Sequence, residues 1–131
     1  MNYWLVKSEP ETFSWEDQKN AGIEPWNGVR NYQARNNMKA MKIGDLVLFY
    51  HSGGERQVVG IVSIAKEHYP DEDDRFVCVD VKTEKELNNP VTLASIKANP
   101  KLLEIALVKN SRLSVQPLSK EAYEEIIRMS E

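Results

Sequence analysis

Disulfides, zinc-type cysteine clusters and long apolar runs are all missing from this chain. One cysteine, Cys78, occurs in 131 residues, so no intrachain disulfide forms and a reducing compartment is the expected setting. The same count excludes Cys-rich zinc sites, and no ligand spacing joins Cys78, His51 and His68 to a carboxylate. The longest strictly apolar run, Leu46 to Tyr50, is far too short to cross a bilayer. The N-terminus, MNYWLVKSEP, has only Tyr3 to Val6 as an apolar stretch before Lys7, which is not a secretory signal. A cytoplasmic protein without a membrane partner is expected. Walker A, Rossmann and HExxH patterns are also absent, so no cofactor or metal is expected.

An excess of positive charge is lacking too. Lys and Arg number 17 against 20 Asp and Glu, a net charge of −3, which argues against a generic polyanion binder. The charge is unevenly spread, however. Asn27 to Ile43 has no acid but holds Arg30, Arg35, Lys39 and Lys42, and Ile105 to Ser119 has none but holds Lys109 and Arg112. Hydrophobic residues at 41% and charged residues at 28% are ordinary for a globular domain. No linker or repeat divides the chain, so one domain over residues 1–131 is expected.

Local patterns predict α+β structure. Tyr3 to Val6 has strand composition. Ser14 and Asp17 form an approximate capping box for a helix from Trp15 to Ala21, stopped by Gly22. Pro25 to Gly28 reads as loop, and Val29 to Ala40 as helix with Val29, Tyr32, Met38 and Met41 as an apolar stripe. Leu46 to His51 is a strand, Gly53-Gly54 a hairpin signal, and Gln57 to Lys66 the returning strand. Gly60 inside that strand points to a bulge or a close backbone approach. Arg75 to Thr83 alternates as a strand, with Cys78 a buried structural thiol. Thr92 caps a short helix over Leu93 to Ala98, and a helical turn follows around Lys101 to Leu107. Leu113 to Gln116 is a strand ended by Pro117, and Ser119 caps a last helix. Hairpin strands with helices inserted at the ends imply α+β organisation rather than a doubly wound sheet.

The densest polar and aromatic segment runs from Trp26 to Asn36. Its amides carry both donors and acceptors, which suits reading a base edge, and Trp26 and Tyr32 offer flat faces for stacking. A solvated helix with both rings in the core is the alternative reading. Tyr50-His51-Ser52 ends an apolar strand, where it forms either a hairpin shoulder or a polar group facing a pocket. A Ser–His hydrolase is disfavoured because adjacent strand residues point to opposite faces. Lys7-Ser8-Glu9-Pro10 lines the same pocket or simply forms a turn. Asp71 to Asp74 reads as a solvated acidic loop.

Taken together, several blocks resemble the EVE domain family, a branch of the PUA-like superfamily. They are Tyr3 to Pro10, Trp26 to Asn36, Met41 to Asp45, Phe49 to Ser52, Pro90 to Leu93 and Ser111 to Pro117. The resemblance implies a small, mostly antiparallel β-barrel of five to six strands flanked by short helices, similar to PUA, ASCH and YTH domains. It also implies a non-catalytic reader of a modified or flipped base, with DNA, RNA or a modified nucleoside as partner. On that basis Trp26 and Tyr32 are the pocket aromatics, and Asn31, Ser8 and Ser52 the edge-reading hydrogen bonders. Tyr50 and His51 would line the floor. Lys7, Arg30, Arg35 and Arg112 would hold phosphate or pin the walls, with the acidic loop on the far side. The competing expectations are an RNA-processing or nucleoside-directed hydrolase of ASCH-like type, and a small-ligand sensor using the same pocket.

Overall fold

In the computed structural model, which describes residues 1–131, the chain begins with β1 (Tyr3–Ser8) and α1 (Trp15–Ala21), then β2 (Ile23–Trp26) and α2 (Tyr32–Ala40). Strands β3 (Leu46–His51), β4 (Gln57–Pro70) and β5 (Val77–Thr92) follow, then α3 (Leu93–Lys97) and a 3₁₀ turn at Pro100–Leu102. The chain closes with α4 (Ala106–Lys109), β6 (Val115–Leu118) and α5 (Lys120–Met129). The capping box at α1 forms as expected, with Ser14 and Asp17 reciprocally bonded and Gly22 closing the helix at φ 76°. Asn31, Thr92 and Ser119 cap α2, α3 and α5 through their side chains.

All six strands join one sheet in the order β2-β5-β4-β3-β1-β6. Only β1 and β3 run parallel; the other neighbours are antiparallel. The architecture is α+β, but the expected barrel does not close. The two edges, β2 and β6, are each four residues long and carry Pro25 and Pro117. A proline offers no N–H to a further ladder, which confines it to edge strands. Helix α2 packs on β6 and on β5 instead. Asn37 Nδ2 donates to Val115 O at 2.8 Å on one side, and Arg35 donates to Arg75 O at 3.1 Å on the other.

The central strands are covered on both faces, which explains why β3 reads as an unbroken apolar run instead of alternating. One core cluster collects Trp4, Val6, Val47 and Phe49 beneath Trp15, Trp26 and Met38. The opposite cluster collects Leu5, Leu48 and Tyr50 beneath Ile96, Ala122 and Ile126. Buried Asp45 ties the turn before β3 to the N-terminus, accepting from Trp4 Nε1 at 3.0 Å, Lys42 N at 3.0 Å and Asn2 N at 3.1 Å.

Several boundaries differ from the sequence expectation; helix α2, for one, starts at Tyr32 rather than Val29. Pro25 and Trp26 belong to an edge strand rather than a loop, because they pair with Asp80 and Val79 on β5. Strand β5 runs on through the charged Lys82 to Glu86 stretch, laddered to a β4 that is itself 14 residues long. Pro117 sits inside β6, opposite Trp4, instead of ending it. Cys78 is buried as expected, and burial pushes its thiol up to about 11.

Candidate functional site

Three chain segments converge at one end of the sheet. The end of β1 and the loop to α1 supply Lys7, Ser8, Glu9, Thr12 and Phe13. Strand β2 and the loop to α2 supply Glu24 through Asn31, and Ser114 closes the side next to β6. They enclose an open cavity of about 750 Å³, within the range of small-ligand sites. Its aromatic wall is Trp26, a largely buried ring held edge-on against Phe49 at 5.5 Å and Phe13 at 6.4 Å.

Several polar groups of the cavity are already committed to holding its shape. Ser8 Oγ donates to Phe13 O. Lys7 Nζ donates to Ser111 O at 2.7 Å, and burial pushes its ammonium down from the usual lysine range. Asn31 Oδ1 accepts from Ala34 N at 2.8 Å, capping α2; its Nδ2 has no protein partner. Thr12, Asn27 and Ser114 also line the cavity, and their side chains make no protein hydrogen bonds. An aromatic wall with a rim of uncommitted donors and acceptors suits a flat, polar-edged ligand.

A family model described as EVE domain matches residues 2–129. The chain belongs to the EVE domain family. Among solved structures, it is 51% identical to a protein from Agrobacterium tumefaciens, with a TM-score of 0.97 over 99% of this chain and 93% of that one. It is 33% identical to the human THYN1 protein, whose crystal structure is in complex with 5-methylcytosine-containing DNA, with a TM-score of 0.94 over 100% and 98% of the two chains. The YTH domain of Zygosaccharomyces rouxii MRB1, solved with N6-methyladenosine RNA, is 14% identical with a TM-score of 0.64 over 99% and 86% of the chains. That last likeness concerns the fold alone.

In this EVE domain the residues expected at the site divide into three groups. Trp26, Asn31, Ser8, Lys7 and Arg30 line the cavity. Tyr50 does not: it points into the opposite core, where burial raises its phenol. His51 faces a second, smaller cleft of about 370 Å³. Its Nε2 accepts from Trp15 N at 2.9 Å, so Nδ1 carries the proton toward Glu55 Oε1 at 3.0 Å. The His51 contact holds the Glu55 carboxyl below its usual range. Lys7 and His51 therefore do not share a site. Ser52 and Arg112 lie outside the cavity lining. Tyr32, half exposed, stacks on Phe76 at 5.0 Å and carries Arg35 over its ring at 4.8 Å.

The acidic loop is not on the far side. Asp71 accepts from Gly28 N at 2.9 Å and from Arg30 Nη1 at 3.0 Å, so it pins the cavity rim and occupies the guanidinium expected for phosphate. Burial opposes its charge, yet the Gly28 amide and the Arg30 guanidinium hold its carboxyl down at about 2. That lies below the ordinary aspartate value of about 3.9. The stabilisation is therefore complete above about pH 4 and is lost as the pH falls toward about 2. Asp71→Asn is expected to flatten the fall in melting temperature between about pH 5 and pH 2. The flattening is partial, since Arg75 holds Asp73 down in the same way. An unchanged acid slope would show that this contact does not stabilise the rim.

Proposed function

We propose that this chain reads a modified base in DNA, with 5-methylcytosine as the leading ligand, by holding one extruded base against Trp26. The observation that carries the reading is the cavity itself: a largely buried aromatic wall ringed by donors and acceptors that nothing in the protein uses. The 5-methylcytosine-containing DNA bound to the human family member supports the choice of ligand. Extruding a base costs a few kcal/mol, and stacking returns about 1–3 kcal/mol per base. A reader of this kind needs little net positive charge, in keeping with the balance of −3. With Arg30 paired to Asp71, the other cations expected at phosphate are Lys7 and Arg35, each bonded to a backbone carbonyl but with N–H donors to spare, and Arg112.

Titration calorimetry with duplexes that differ in one cytosine methyl tests the reading. The methylated duplex is expected to bind about tenfold tighter or better. Affinity should fall only gently with salt, with a log–log slope near −2 to −3, as about three phosphate contacts require. Equal binding of both duplexes, or binding of neither, overturns the reading.

A further inference from the structure

Seven carboxylates in this chain are buried or half-buried: Glu24, Asp45, Glu67, Asp71, Asp73, Asp80 and Glu125. Six of them have protein partners. Asp45 accepts from Trp4, Glu67 from Ile43 N and Asp71 from Gly28 and Arg30. Asp73 pairs with Arg75, Asp80 accepts from Tyr69, and Glu125 pairs with Arg128 and accepts from Asn99. Glu24 alone makes no hydrogen bond or ion pair with the protein, and it lines the cavity. A carboxylate with no protein partner keeps its acceptor sites open to a ligand.

Its position follows from the alternation of β2. Glu24 and Trp26 pair with Val81 and Val79 on β5 and share one face, two residues apart. Ile23 and Pro25 take the other face and are exposed. The strand that supplies the stacking wall thus also supplies a hydrogen-bond acceptor at the same cavity. On the β2–α2 loop, Asn31 spends its carbonyl oxygen on the helix cap and keeps only its amide donor free. The cavity therefore offers two carboxylates, the exposed Glu9 and the half-buried Glu24 beside Trp26, and at least one donor whose orientation the fold has fixed.

We propose that Glu24 makes the cavity select cytosine over thymine, by accepting from the exocyclic 4-amino group. This rests on the reading of the cavity as a base site. Cytosine presents a donor at its 4-position and acceptors elsewhere on its pairing edge, matching a carboxylate and an amide donor. Thymine presents a carbonyl oxygen at the same position, so a carboxylate there meets a second acceptor and repels it. The 5-methyl group is common to 5-methylcytosine and thymine, and a methyl-sized recess alone does not separate them. Glu24 supplies what separates them.

The test compares two duplexes with one variable position opposite guanine, holding either 5-methylcytosine or thymine. A mismatched thymine leaves the helix more easily, so any preference for 5-methylcytosine arises in the protein. The wild-type chain is expected to prefer 5-methylcytosine by about tenfold or more. Glu24→Gln, whose amide presents either a donor or an acceptor, should bring the two affinities within about threefold. Glu24→Ala should weaken the 5-methylcytosine duplex and spare the thymine one. Wild-type melting temperatures of both variants would confirm the fold; Glu24 has no protein partner to orphan. Three results overturn the proposal while leaving the base site in place: equal wild-type binding of both duplexes, an unchanged preference in the variants, or equal weakening of both duplexes. If the wild-type chain binds neither duplex, the base site itself fails and the proposal falls with it.

Discussion

Gly60→Ala is expected to destabilise the domain by about 3 kcal/mol or more, a fall in melting temperature of roughly 10 °C or more for a chain of this size. A Cβ on Gly60 would stand 2.3 Å from Trp15 Cη2 and within 2.5 Å of two further atoms of that ring. The ring has little freedom to retreat. Its Nε1 donates to Glu86 at 3.2 Å, its backbone N–H donates to His51, and it lies edge-on to Phe49 at 5.3 Å. The glycine is needed for close approach, as its position within a strand suggested; its backbone is not in the left-handed region. A double-mutant cycle checks the cause. Trp15→Phe should cost less in the Gly60→Ala background than alone, because the smaller ring relieves the clash. Additive losses, or a melting temperature unmoved by Gly60→Ala, would contradict the account.

Trp26→Ala is expected to have two effects. Removing a largely buried indole packed on Phe13 and Phe49 should cost about 3–5 kcal/mol of stability. Removing the stacking face should weaken binding of the methylated duplex by about 10- to 100-fold. Trp26→Phe separates the two effects. It keeps an aromatic wall and much of the packing, so selective binding should persist within about fivefold while the melting temperature falls modestly. Calorimetry at a temperature where both variants remain folded reads the binding effect. A folded Trp26→Ala chain with wild-type selectivity would remove the indole from the site.

How far the site was legible in the sequence follows from the kind of contact involved. The capping box, the strands around Leu5 and Leu48 and the special role of Gly60 depend on neighbours in the chain, and their residue types announce them. The cavity residues Ser8, Lys7 and Asn31 were also within reach, because they belong to short polar blocks at element ends. Tyr50 was misplaced because alternation in β3 gives two faces without saying which one carries the cavity. Phe49 and Tyr50 are adjacent, yet they enter opposite cores. Glu24 was missed because Ile23 to Trp26 is too short and too proline-marked to read as a strand. Its alternation was visible, but only pairing with β5 makes that alternation meaningful.

Asp71 marks the limit most clearly. Between it and Gly28 lie 43 positions of sequence separation, and nothing in an acidic run says which distant amide it will meet. The sequence by itself determined an α+β organisation without an intrachain disulfide, its caps and turns, its family resemblance and most of the cavity-forming segments, since these are written in local pattern and composition. Only the tertiary structure decided that the sheet stays open at two proline-bearing edges, that Arg30 is taken by Asp71, that His51 serves a different cleft and that Glu24 stands unpaired beside Trp26. Those facts depend on which surfaces long-range strand pairing brings together, and no local pattern encodes that pairing.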